Sequence, residues 1–310
     1  MLLIVCCLCL QNRCVWARVS EIGTQFMKNV GEWGVFGVCY ITYGKRKYRS
    51  GKILLLQKLE SMPDFKIEIC ANSVASCIEA QKGGAYRVEL CAAIPEGGTT
   101  PSYGDMVLAR ELLSIKLNVI IRPRGGDFLY SDLEQKIMLK DIEIARSLGV
   151  DGIVIGCLTP QGDVDMVRNR ELIEAAGEMS VTFHRAFDMC RDPFESLEKI
   201  IELGCSHLLT SGQQPKAEQG IPLIKRLVEQ ADNRIVIMPG SGITEQNISK
   251  IVSETGVREL HLSARSAVES AMQFRNPAVS MGGVNITINE YEQLVTDAEK
   301  VRKTIARLRD

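Results

Sequence analysis

From Lys66 onward the chain repeats one pattern eight times: a short run of β-branched and other apolar residues, then a longer amphipathic stretch. The short runs are Lys66–Cys70, Arg87–Cys91, Asn118–Arg122, Gly152–Cys157, Val181–His184, His207–Thr210, Arg234–Met238 and Glu259–Ser263. Parallel strands need a crossover of a dozen or more residues, usually a helix, and strands covered on both faces read as short apolar runs. Eight such units in roughly 245 residues match a (β/α)8 barrel in both count and length. The rival, a doubly wound open sheet, leaves edge strands and usually has fewer units. The expected fold is therefore α/β, a (β/α)8 TIM-type barrel over residues 63–310.

Helix boundaries fall where backbone chemistry wants them. Ser131 with Glu134 has the spacing of a capping box, in which each side chain satisfies an orphan N–H of the first turn. Asp192-Pro193 reads as an N-cap followed by proline at the first helical position. Gly83, Gly149, Gly204 and Gly256 stand where a left-handed residue closes the last turn. A final helix is expected over Glu290–Arg307. The connection before it, Ser266–Asn289, is long for a compact domain, so it is expected to pack on the barrel or form a subunit contact.

Residues 1–62 differ in composition. They hold nine Lys and Arg against three acids, whereas the remainder holds 28 against 35. Five of the eleven cysteines and both tryptophans also fall there. That break places a boundary near Met62-Pro63-Asp64. Leu2–Leu10 resembles the apolar region of a signal peptide, but no basic residue precedes Arg13 and Val15-Trp16-Ala17 is a poor cleavage site. No regular hydrophobic period runs through 11–62. The segment is expected to be an N-terminal extension of low order; the alternative is a targeting or lipid-linked leader. The overall net charge of −1 gives no case for nucleic-acid binding or polybasic membrane adhesion. No apolar run reaches the eighteen or so residues of a membrane-spanning helix.

In a barrel of this kind reactive groups gather at the C-terminal ends of the strands. The first two strands end in nearly the same phrase, Glu68-Ile69-Cys70 and Glu89-Leu90-Cys91. Residues two apart share a face, so if the glutamates point inward the cysteines do too. Two thiols would then meet at the mouth with two carboxylates one layer below. Thiolates are soft ligands. Two of them with no obvious third ligand suit low-coordinate Cu(I) better than tetrahedral zinc. Plain buried hydrophobes and a reversible disulfide remain open as alternatives.

Other strand ends add polar groups. His184 with Arg122, Glu68 and Glu89 forms a candidate catalytic set, a general base beside an anion clamp; a buried salt-bridge network that merely plugs the barrel is the alternative. Arg122, Gly240, Ser241, Gly242, Ser263 and Arg265 are candidate anion-binding residues, since loops after the seventh and eighth strands of barrels often hold phosphate through backbone N–H groups. His261 shares the inward face of Ser263, one layer deeper. His207 points to the bottom of the barrel and reads as structural. Of the other body cysteines, Cys77, Cys190 and Cys205 lie in or beside helices, while Cys157 ends a strand.

At these residues the chain resembles the CutC copper homeostasis family. The likeness runs from about Phe65 to the C-terminus. It rests on Glu68-Ile69-Cys70, Arg87-Val88-Glu89-Leu90-Cys91, Glu96-Gly97-Gly98-Thr99-Thr100-Pro101-Ser102 and Ile121-Arg122-Pro123-Arg124-Gly125-Gly126-Asp127-Phe128-Leu129-Tyr130-Ser131. It continues through Phe183-His184-Arg185-Ala186-Phe187-Asp188, Leu209-Thr210-Ser211-Gly212, Met238-Pro239-Gly240-Ser241-Gly242-Ile243 and Ser263-Ala264-Arg265. The resemblance implies a TIM-type barrel that forms a homo-oligomer, is cytoplasmic (in animal members also nuclear), and serves copper tolerance. It also implies Cu(I) ligation by Cys70 and Cys91. Three readings follow: a Cu(I)-binding copper homeostasis protein, a barrel enzyme acting on a small phosphorylated or carboxylated substrate, and a scaffold that oligomerises through Ser266–Asn289.

Overall fold

The computed structural model describes residues 65–279, 281 and 289–308 with their side chains, and nearer the N-terminus the backbone of four strands. The chain divides into two compact units, Met1–Pro63 and Asp64–Asp310. In the first, β1 (Leu3–Leu10), β2 (Arg13–Val19), β3 (Gly37–Tyr43) and β4 (Arg46–Tyr48) pair antiparallel in the order β2-β1-β3-β4. The apolar run at Leu2–Leu10 thus supplies β1. The side chains of this unit lie outside the described residues.

The second unit is the barrel. Its strands are β5 (Lys66–Ala71), β6 (Arg87–Leu90), β7 (Lys116–Ile120), β8 (Gly152–Ile155), β9 (Ser180–Phe183), β10 (His207–Thr210), β11 (Val236–Pro239) and β12 (Glu259–Leu262). They run parallel in the order β11-β10-β9-β8-β7-β6-β5-β12. The eighth strand therefore lies beside the first, and β11 stands next to β12 at the remaining seam. All eight expected strands form, with ends displaced by no more than two residues.

Alternation along each strand separates two interiors. Ile67 and Ile69, Val88 and Leu90, Leu117 and Val119, and Ile153 and Ile155 face outward into one continuous core with Met138, Ile142, Leu172, Ile200 and Leu227 of the surrounding helices. Full burial of such a side chain stabilises by about 1.5–3 kcal/mol. Inside the barrel a much smaller cluster, Cys91, Ile120 and Val154 with Cys70 and Ile94, lies toward the mouth. Apart from Leu209 and Met238, the other interior side chains of the strands are largely polar.

Helix signals hold with two corrections. The Ser131–Glu134 capping box forms, and Asp192 accepts from the N–H groups of Phe194 and Glu195 at the helix that Pro193 begins. The left-handed residue after the first helix of the barrel is Gly84 (φ 91°) rather than Gly83. Gly83 instead lets a neighbouring helix approach: a Cβ there would sit 2.5 Å from Val301 Cβ. The second correction concerns Glu290–Arg307. It splits into a strand, β14 (Glu292–Thr296), paired antiparallel with β13 (Arg265–Glu269), and a helix over Ala298–Ala306. β-branched Val295 and Thr296 favour the ladder. The Asp297 side chain then accepts from the N–H groups of Glu299 and Lys300 and sets the helix start. Among the described residues no helix is long and apolar enough to cross a membrane.

Candidate metal centre

The barrel interior is built in layers. At the bottom the Arg87 guanidinium bonds Glu68 through Nε and Glu259 through Nη2 at 3.1 Å. Glu259 also meets Lys66 Nζ at 3.1 Å and His207 Nε2 at 3.2 Å. This is a salt-bridge plug, but of the set His184, Arg122, Glu68 and Glu89 for which the sequence left such a network open it takes in only Glu68, and it adds His207. Burial alone would raise both glutamates. For Glu68 the Arg87 charge and a hydrogen bond with His261 prevail and hold it at about 2. For Glu259 the hydrogen bond and charge of His207, then Arg87, do the same.

Above the plug stands His261. Its Nδ1 is 2.8 Å from Glu68 Oε1 and its Nε2 is 3.5 Å from Glu89 Oε2. Burial would discharge the ring, but hydrogen bonds with Cys70 and Glu68 and the charges of Glu89 and Glu68 hold it protonated, well above the ordinary histidine range. Glu89 goes the other way. Burial drives it up to about 8; the His261 charge opposes, and the Cys70 and Glu68 charges add to the rise.

At the top, Cys70 Sγ lies 3.9 Å from Cys91 Sγ. Cys91 is 3% exposed and Cys70 half-buried. The two sulfurs are unequal. The Cys91 hydrogen bond, followed against burial by His261 and the Arg265 charge, holds Cys70 well below the usual thiol range. The same bond and burial push Cys91 well above it. Either sulfur can donate across the 3.9 Å contact, and the surrounding charges favour the negative form at Cys70. Arg265 Nη2 adds a contact of 3.4 Å to Cys70 Sγ.

The two thiols do converge, as the repeated phrase suggested. Their layering differs from expectation, because the register sets Cys70 level with Glu89, not with Cys91. That stagger brings in a third donor: Cys70, Glu89 and Cys91 each offer a ligand atom within 4.8 Å of the others. Sequence reasoning found no third ligand and left His261 unassigned. The signal for His261 was barrel closure, which makes the last strand the neighbour of the first, so that His261 pairs in register with Glu68.

These groups floor a cavity of about 890 Å³. Most of the remaining candidates line the same cavity. The His184 Nδ1 accepts from the Ala186 N–H at 3.2 Å, and burial with the Arg122 charge lowers the ring to about 3. Arg122 stacks over Phe128, 5.0 Å from its centroid, and donates to the carbonyls of Glu96, Gly98 and Gly126. Neither is bonded to Glu68 or Glu89, so the four candidate catalytic residues fall on two sides. Ser241, Gly242, Ser263 and Arg265 line the cavity. Gly240 serves packing instead: its N–H bonds Thr210 O, and a Cβ there would meet Leu209 Cδ1 at 2.6 Å. Cys157 is buried in the outer core, where burial raises it to about 12.

A profile of the CutC family matches residues 65–266. The chain belongs to the CutC family. A CutC family protein of Bacteroides thetaiotaomicron is 58% identical over 245 residues, which cover 79% of this chain and 98% of that one. The copper homeostasis protein cutC homolog of Homo sapiens is 48% identical over 238 residues, 77% of this chain and 87% of its own length. The crystal structure of CutC from Streptococcus agalactiae superposes with a TM-score of 0.62 at 38% identity, covering 64% of this chain and 98% of that one. CutC membership accounts for the barrel; the matched span begins at Phe65, past the N-terminal unit.

Proposed function

We propose that this chain binds Cu(I) as cargo through the Cys70 and Cys91 sulfurs and so serves copper homeostasis, with Glu89 as an optional third donor. The observation that carries the reading is the 3.9 Å between the two sulfurs. Two metal–sulfur bonds of about 2.3 Å each span that gap, whereas a disulfide would need the sulfurs to close to about 2.05 Å. Thiolates prefer soft monovalent copper to hard cations. Cys70 is held well below the usual thiol range, and His261 and Arg265 beside it offset negative charge on the sulfur. The copper homeostasis names of the human and streptococcal relatives agree with this reading. Free thiols call for a reducing compartment, the cytoplasm or nucleus. Exposed Val268, Met272, Phe274 and Leu294 around the β13–β14 hairpin support a homo-oligomer.

Anaerobic titration against a chromogenic Cu(I) chelator tests it. The parent should take one Cu(I) per chain, and Cys70→Ser or Cys91→Ser should weaken binding at least about a hundredfold, as loss of one of two ligands would. A Cys70→Ser/Cys91→Ser variant that holds Cu(I) as tightly as the parent overturns the proposal.

A further inference from the structure

We propose that the cavity also binds a small organic phosphate, held by Arg122, His184, Arg265 and the loop after β11, in addition to copper. A single metal ion occupies little of a space of about 890 Å³, which lies in the range of pockets that enclose small organic ligands. Three side chains lining it carry a polar atom with no hydrogen-bond partner: Arg122 Nε, His184 Nε2 and Arg265 Nε. His184 and Arg122 are each only 4% exposed, and a buried donor left without a partner is unfavourable.

All three orphans are donors. Arginine nitrogens only donate. His184 accepts at Nδ1 from the Ala186 N–H, so in the neutral ring the proton sits on Nε2. Burial and the Arg122 charge keep that ring neutral at physiological pH. The orphaned donors ask for acceptors, and the cations Arg122, Arg185, Arg265 and Lys300 outnumber the carboxylates Glu89, Asp188 and Glu245 on the same lining; Arg185 is shared with Asp188, and Lys300 donates to the Arg265 carbonyl.

The loop after β11 supplies the phosphate geometry. The N–H groups of Ser241, Gly242 and Ile243 have no partner among the described residues. Ser241 and Gly242 both take positive φ, 78° and 70°, and successive N–H groups in such a turn converge on an anion. Ile94, Phe128 and Ile243 provide an apolar surface for the organic body.

Calorimetric titration of the metal-free, reduced full chain with inorganic phosphate and with ribose 5-phosphate tests the proposal. Both should bind saturably, the sugar phosphate more tightly. Gly242→Ala puts a Cβ at positive φ, 3.0 Å from Lys216 Cγ, and should weaken both by about tenfold or more. His184→Asn keeps an acceptor for the Ala186 N–H, removes the Nε2 donor, and should have a similar effect while leaving Cu(I) affinity unchanged. The Cys70→Ser/Cys91→Ser variant should bind ribose 5-phosphate like the parent, which separates this site from the copper reading. Absence of saturable binding by the parent up to about 10 mM, or binding undiminished in both His184→Asn and Gly242→Ala, overturns it.

Discussion

Nδ1 of His261 lies 2.8 Å from Oε1 of Glu68, and this contact couples the ionised plug of the barrel to the sulfur pair above it. Glu68 is anchored from below by Arg87, and Arg87 by Glu259. A protonated imidazole is therefore held by a carboxylate that cannot retreat. Its other face stabilises negative charge on Cys70.

Cys70 should behave as the reactive sulfur of the metal-free protein. At pH 6 iodoacetamide should alkylate Cys70 well before Cys91, because only the thiolate attacks. His261→Gln removes a hydrogen bond and a positive charge from the thiolate, so Cys70 labelling at pH 6 should slow by about tenfold. Peptide mass spectrometry over time reads both rates, and equal labelling of the two sulfurs in the parent would contradict the assignment.

Glu68→Gln should be strongly destabilising. It leaves Arg87 with Glu259 alone and His261 without its ionised partner, all inside the barrel. Removing one member of a buried charge network costs on the order of 3 kcal/mol. Urea unfolding at pH 7 measures this, and a loss below about 1 kcal/mol would show that the plug relaxes or admits water.

Stability should depend on pH from both sides. Glu68 and Glu259, held at about 2, contribute stability present above their unfolded value and lost as pH falls through about 2. His184, lowered to about 3, contributes stability present above the ordinary histidine value and lost as pH falls toward 3. Glu89 has the opposite sign: raised to about 8, it contributes stability present below the ordinary carboxylate value and lost as pH rises through about 8. Glu89→Gln should be close to neutral at pH 5 and stabilising at pH 9, with a relative slope of up to about 1.4 kcal/mol per pH unit between. Parallel stability curves for parent and variant from pH 5 to 9 would refute the assignment.

Gly83→Ala should loosen the helix Ala298–Ala306, whose Lys300 and Thr304 reach the cavity rim. The added methyl would overlap Val301 Cβ and Cγ1 at 2.5 and 2.7 Å. Overpacking of this kind costs about 1–3 kcal/mol, partly offset by the better helix propensity of alanine. Thermal unfolding should show a lower Tm, and Val301→Ala in the same chain should restore much of it. An unchanged Tm in the single variant would mean that the helix shifts freely.

Much of the site was legible because its signals are local. Cys70 and Cys91 end two strands in the same phrase, and alternation alone puts each on the face of its glutamate. The Ser131 and Asp192 caps were readable because a cap is a contact over two or three residues. Glu290–Arg307 was misjudged because β14 forms only by pairing with β13, and that partner begins 25 residues before Glu290. Glu89 as a neighbour of Cys70, and His261 as a neighbour of Glu68, depend on stagger between strands, which no single strand encodes.

The sequence by itself determined the eight-unit α/β architecture and the inward face on which glutamates and cysteines sit, because strand period and crossover length are set by backbone geometry within each unit. Only the tertiary structure decided that β12 closes onto β5, that Cys70 stands level with Glu89, and that two chemically identical thiols are shifted in opposite directions. The first two come from strand pairing and stagger as the barrel closes; the third comes from charges distant along the chain acting across a buried interior where water screens them little.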